Sequence, residues 1–258
     1  MINSISKCMQ ILSYISDQHG QPVSLKEISE KTDIPKPTAV HILNTLIAEG
    51  YVNRISHSKG YVLGPSLFYL TRFGKYNDSF ISICHPVMKW LNAKTGHTII
   101  LAVIHGGKKY IIDRIDSQHH LLEEDGDILA DDIYRTATGR VLLSNMSQED
   151  VLEIYNRYQA PTAREWKQVN SFETLKTELS KILSKDVVKT TEINTKDGSV
   201  LCGYARALYA GINCVGALGL AAKYDSNNID LSASEESEIT KNLNKAVIEI
   251  NRRLKYSM

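Results

Sequence analysis

The side chains of this sequence that are best arranged for chemistry are arranged for hydrogen bonding. Set on a helical wheel at about 100° per residue, the stretch Pro35 to Glu49 divides into two faces. Ala39, Val40, Ile42, Leu43, Leu46 and Ile47 gather on one, and Pro37, Thr38, His41, Asn44, Thr45 and Ala48 on the other. A helix that reads bases in the DNA major groove needs small, hydrogen-bonding residues on its wet face, because bulky ones hold it away from the base edges. An ordinary surface helix is the alternative, but such helices usually carry Lys and Glu there, and this one has almost none. Lys36, at the start of the helix, is placed for a phosphate contact.

A second candidate site lies farther along. Thr136 to Gly139 stands at the start of a predicted helix, where unpaired backbone N–H groups favour an anion. Metal binding is a weaker reading of His119 and His120 with Asp116, Glu123 and Glu124, since adjacent histidines on a polar loop are more often solvated. The acidic run Glu123 to Asp132 reads as a loop. No GxSxG, P-loop, dinucleotide fingerprint or HExxH is present, so no catalytic residue, metal or cofactor is expected.

The first candidate is positioned by a recognisable series of elements. Ile5, Cys8, Met9, Leu12 and Ile15 recur at helical spacing over about residues 4–18. Ser24 and Glu27 form a capping box for a short second helix, and Pro35 stands where the third begins. Gly50 caps its end. Residues 51–56, 57–60 and 61–63 then read as strand, turn and strand, a wing whose Arg54, His57 and Lys59 can meet phosphates. Between Lys36 and Lys75, five basic residues (Lys36, Arg54, Lys59, Arg72, Lys75) stand against the single acid Glu49, a local charge of +4 in a chain of +1. Residues 1–64 are therefore expected to form a winged helix-turn-helix.

After Pro65, the stretch Leu67 to Phe73 is apolar around most of its circumference, so residues 65–80 are expected to form a linker helix buried against a second copy of the chain. Residues 81–258 carry the remaining elements. Helices are expected at about His85–Ala93, Thr138–Leu143, Gln148–Tyr155, Ser171–Ser184 and Ser234–Leu254. Strands are expected at about His97–Ile104, Lys109–Ile115, Val200–Tyr209 and Cys214–Ala222. An antiparallel sheet with packed helices follows.

Bulk properties agree with a soluble protein of one or two domains. The 258 residues are 43% hydrophobic and 23% charged, and no apolar run approaches the ~18 residues that span a bilayer. The first ten residues do not read as a signal peptide, so a cytoplasmic address and no membrane partner are expected. Cys8, Cys84, Cys202 and Cys214 form no CxxC pair and read as reduced, inert thiols.

In order and spacing, several segments resemble the IclR family of bacterial regulators. These are Ser24-Leu25-Lys26-Glu27-Ile28, Ile34-Pro35-Lys36-Pro37-Thr38, Leu43, Leu46, Glu49-Gly50-Tyr51-Val52, Gly60-Tyr61-Val62-Leu63-Gly64-Pro65 and Thr136-Ala137-Thr138-Gly139-Arg140-Val141-Leu142-Leu143. The resemblance implies an α+β chain with a winged helix-turn-helix, a linker helix and a C-terminal GAF-like α/β effector domain with an antiparallel sheet. It further implies a homodimer or dimer of dimers on operator DNA, controlled by a small-molecule effector, often an organic acid. Pro37 and His41 stand where the family usually has Ser and Arg, so operator sequence does not carry over.

The resemblance also places Cys202, Gly219 and Ala221 on the effector pocket, with Glu192 near it and Ala137, Thr138 and Gly139 at its helix start. The family often has hydroxyl residues where Gly219 and Ala221 stand. Strand alternation sets Tyr204 and Arg206 on the face of Cys202. Arg206 either reaches into the pocket to hold a carboxylate in the space left by Gly219 and Ala221, or leaves it near the strand end. Two other functions remain to be weighed: an enzyme-like ligand-converting domain with a DNA-binding appendage, and a winged helix used only for protein contacts.

Overall fold

The computed structural model describes residues 2–18, 20–55, 60–71, 80–117, 133–193, 199–224 and 233–255. The chain divides into two compact units, Met1–Asp78 and Ser79–Met258.

In the first unit, α1 (Asn3–Ser16), α2 (Leu25–Thr32) and α3 (Lys36–Ala48) close on Ile11, Ile15, Ile28, Ala39, Leu43 and Leu46. The capping box forms: Glu27 N–H donates to Ser24 Oγ at 3.2 Å, and Ser24 N–H donates to Glu27 Oε2 at 2.8 Å. Between α2 and α3, Asp33 adopts a left-handed φ of 52° and the Ser29 hydroxyl donates to the Ile34 carbonyl at 2.7 Å. These short-range bonds fix the angle at which α3 leaves α2. Strands β1 (Val52–Ile55) and β2 (Gly60–Leu63) pair antiparallel, and Val23 adds a bridge to Tyr61 on the other side of β2. A short α4 (Ser66–Thr71) follows.

The second unit is a five-stranded antiparallel sheet in the order β4-β3-β7-β6-β5. Its strands are β3 (Thr98–His105), β4 (Lys108–Ile115), β5 (Val188–Ile193), β6 (Val200–Ala210) and β7 (Asn213–Tyr224). Helices α5 (Ile81–Thr95) and α9 (Ala233–Lys255) cover one face, packing Leu91, Leu243 and Ile250 on Ile99, Tyr204, Leu208 and Leu220. On the other face α6 (Ala137–Ser144), α7 (Gln148–Tyr158) and α8 (Phe172–Leu183) bury Val141, Leu142, Ile154 and Leu175 with Ala102, Ala205 and Ala217. Alanines on the central strands let that second layer sit close. Among the described residues, no helix is long and apolar enough to cross a membrane.

Two elements differ from expectation. Helix α5 begins at Ile81, one turn before His85, so Pro86 lies inside it. Burial of Phe80, Cys84, Val87, Met88 and Leu91 offsets the hydrogen bond that Pro86 cannot make. Strand β5 was not expected, because its Val-Lys-Thr-Thr-Glu-Ile sequence buries only Val188, as an edge strand needs.

Candidate functional site

Helix α3 presents the polar face its sequence indicates. Lys36, Pro37, His41, Asn44, Thr45 and Ala48 are exposed and Thr38 is half-buried, while Ala39 and Leu43 are fully buried on the opposite side. The Thr45 hydroxyl donates to the His41 carbonyl at 3.2 Å, so its lone pairs are what it offers outward. The His41 ring and the Asn44 amide make no bond to another described residue. Arg54 is exposed on β1, across from Tyr61. His57 and Lys59 in the wing, and Arg72 and Lys75 in the linker, lie outside the described residues, as do His119, His120 and the run from Glu123 to Asp132.

The second candidate is built on the α6 face of the sheet. Thr136 caps α6: its hydroxyl oxygen accepts from Gly139 N–H at 3.2 Å and its carbonyl from Arg140 N–H at 3.0 Å. The N–H groups of Ala137 and Thr138 are left without a partner among the described residues. Lys109, 2% exposed, comes up from β4 and donates from Nζ to Thr136 Oγ1 at 3.0 Å. Arg135 reaches Glu192 on β5 at 3.5 Å. Gly203, Gly219 and Ala221 line the sheet beneath: a methyl group on Gly203 would lie 2.8 Å from Thr190 Oγ1 and 3.6 Å from the Ala137 methyl. The Lys109 ammonium and two N–H groups without a partner among the described residues thus meet at one helix start, an arrangement suited to an anionic group.

Arg140 holds that helix start in place. Its Nε donates to the Tyr134 carbonyl at 2.7 Å and its Nη2 to the Glu165 carbonyl at 2.6 Å, with the guanidinium 4.2 Å from the centre of the Trp166 ring. Burial lowers its pKa to about 10, so it remains charged at neutral pH. Burial raises the phenol of Tyr134 to about 12, and its hydroxyl has no hydrogen-bond partner among the described residues.

The structure corrects three placements. Cys202, Tyr204 and Arg206 do share a face, but it is the face covered by α5 and α9, away from Thr138, Gly219 and Ala221. Arg206 donates from Nη1 to Asn244 Oδ1 at 2.9 Å and lies 3.5 Å from Asp186, so it does not enter the α6 side. The space expected at Gly219 is taken, since a methyl group there would lie 2.5 Å from Thr138 Cγ2. Cys202 instead sits beside Thr191 Oγ1 at 3.9 Å, and burial raises its thiol pKa.

Sequence reasoning missed Lys109 and Arg135. Lys109 carried a signal: in the pair Lys108-Lys109, successive strand residues point to opposite faces, so one of the two must turn inward.

Comparison with known proteins agrees with this architecture. The profile of the IclR helix-turn-helix domain matches residues 4–56, and that of the bacterial transcriptional regulator IclR C-terminal domain matches residues 77–197. Transcriptional repressor IclR of Escherichia coli K12 is 22% identical over 159 residues, covering 60% of this chain and 57% of that protein. The regulator TtgV of Pseudomonas putida is 27% identical over 148 residues, 57% of this chain and 56% of its own. The chain therefore spans less than two thirds of these relatives' length. Among solved structures, an IclR homologue from Microbacterium hydrocarbonoxydans complexed with 4-hydroxybenzoate aligns with a TM-score of 0.75 at 16% identity, over 99% of this chain and 100% of that one. The IclR regulator of Alicyclobacillus acidocaldarius gives 0.74 at 17% identity, over 98% and 99%. Both domains of that family occur here in the same order, and the chain belongs to the IclR family of bacterial transcriptional regulators.

Proposed function

We propose that this protein binds operator DNA through α3 and the β1–β2 wing, and that a small organic acid bound at the start of α6 controls that binding. The carrying observation is the exposed polar stripe of α3, set opposite a fully buried stripe on the same helix. In this reading Pro37, Thr38, His41, Asn44 and Thr45 face base edges, and Lys36, Arg54 and Lys59 face phosphates. A homodimer presents two such helices to two half-sites.

The effector's carboxylate accepts from the Ala137 and Thr138 N–H groups, with the Lys109 ammonium beside the Thr136 cap and the half-buried Gly203 and Ala221 forming the floor. Glu192 and Arg135 stand at the rim as a charge pair. That a homologue of the same fold holds 4-hydroxybenzoate, itself a carboxylate, supports this ligand class. Arg206, Tyr204 and Cys202 have no part in it, because they face the other helix layer.

Fluorescence anisotropy with genomic fragments upstream of the protein's own gene and its neighbours tests the DNA function, with affinity falling steeply as salt rises. Calorimetry of small carboxylic acids against wild type and Lys109→Met tests the effector site. Affinity that is equal in the two proteins sinks the effector assignment and leaves DNA binding standing.

A further inference from the structure

We propose that Asn44 is the base-discriminating residue of α3 and that it selects adenine in each operator half-site. The inference rests on the DNA-reading function above and adds the base that is read. Along the middle of the exposed face run Pro37, His41, Asn44, Thr45 and Ala48. Pro37 and Ala48 have no side-chain hydrogen-bonding group. Thr45 already donates its proton to the His41 carbonyl at 3.2 Å. The two nitrogens of the His41 ring point in different directions, so only one can meet a given base edge. Asn44 alone carries a donor and an acceptor side by side in one plane, and no described residue occupies them.

That pair matches one base edge. Adenine offers N7 as acceptor beside the N6 amine as donor, whereas guanine offers two acceptors, N7 and O6. Guanine is met by Arg or Lys, and neither stands on this stripe; Lys36 lies at the first turn and Arg54 on β1. Asn44 is three residues from His41 and four from Ala48, about 4.5 and 6 Å along the helix axis at about 1.5 Å per residue. Each interval is close to one or two base-pair steps, so the adenine lies between the bases that those neighbours touch.

The test is selection from a randomised duplex pool by the full chain and by Asn44→Ala, followed by binding to the selected site with 7-deazaadenine in place of the selected adenine. Wild type is expected to enrich adenine at one symmetry-related pair of positions. Asn44→Ala should lose that preference and keep the others, which also shows that it folds. Removing N7 should weaken wild type about tenfold and Asn44→Ala less than about twofold. An unchanged preference in Asn44→Ala, loss at a base other than adenine, or equal weakening of both proteins by the analogue overturns the proposal. A wild type that enriches no sequence overturns the DNA-reading function itself, and the proposal with it.

Discussion

The Ser66 hydroxyl donates to the Glu49 carbonyl at 2.8 Å, tying the first turn of α4 to the end of α3. Ser66 N–H donates to the Gly50 carbonyl at 3.1 Å, and Gly64 N–H donates to the Tyr51 carbonyl at 2.7 Å. A helix end leaves carbonyls unsatisfied, and here two of the three bonds that take up carbonyls past the last turn come from Ser66. Gly50 has a left-handed φ of 74°, and Gly64 is pressed against the Gly50 carbonyl so closely that a side chain there would overlap it. Helix α3 and the start of α4 are thereby one body.

Substitution at this junction should show graded costs. Ser66→Ala removes one hydrogen bond and is expected to cost about 0.5–1.5 kcal/mol. Gly64→Ala forces the junction open and should cost more, about 1–3 kcal/mol. Urea unfolding of the full chain, followed by a probe in the first unit, gives both values. A Gly64→Ala protein as stable as wild type would show that the close approach is relaxed in solution.

Arg140 supplies a second test, at the start of α6. Its fork spans two carbonyls in different segments, Tyr134 and Glu165, and stacks on Trp166. Lysine has one ammonium and cannot meet both while stacking. Arg140→Lys is expected to lose about 2–4 kcal/mol of stability, since a hydrogen bond to a buried charged group is worth about 1.5–3 kcal/mol. Thermal unfolding measures the loss. The same variant should bind carboxylates more weakly even below its melting temperature, because Ala137 and Thr138 lose their support.

The two sites differed in how much the sequence disclosed. Helix α3 is buried on one side only, so its apolar stripe marked both the helix and the direction of the polar face. Strand β6 is buried on both sides, with Cys202, Tyr204 and Leu208 under α9 and Ala205 and Ala207 under α6. Alternation grouped Cys202, Tyr204 and Arg206 correctly, but a strand apolar on both faces has no inside or outside to read. Only long-range packing, with small residues beneath α6, decides which set meets Thr138. Lys109 escaped notice for a related reason: a lysine reads as solvated until the pairing of β4 with β3 fixes its face.

The cysteines make a prediction about pH. Burial raises all four thiols, that of Cys84 to about 12, and Cys84 and Cys202 are in addition closed off from solvent. At pH 8 a thiol with a pKa near 12 is ionised in only about one molecule in ten thousand, whereas an ordinary thiol near 8.5 is about a quarter ionised. Titration of the native protein with a disulfide reagent at pH 8 should therefore detect no more than the half-buried Cys8 and Cys214, and all four after unfolding. Because the folded value of Cys84 lies above the unfolded one, its contribution to stability is present below the ordinary thiol range and is lost as pH rises toward 12. Rapid reaction of all four thiols in the native state would contradict this packing.

The contact between Gly219 and Thr138 gives the sharpest check on the packing of α6 against the sheet. Serine at 219 would bring a hydroxyl to the sheet floor, yet its Cβ would lie 2.5 Å from Thr138 Cγ2. Turning Thr138 about χ1 would move that methyl only by giving up the hydrogen bond from its hydroxyl to Thr136 Oγ1 at 3.4 Å, so relieving the clash carries a cost. Gly219→Ser alone is expected to destabilise the second unit by about 1–3 kcal/mol. Thr138→Ala removes the clashing methyl, and the double variant Gly219→Ser/Thr138→Ala should recover most of that loss. The pair is in direct contact, so the coupling should exceed the roughly 0.5 kcal/mol within which distant substitutions add. Additive effects of the two changes in urea unfolding would mean that α6 sits farther from β7 than its packing here requires.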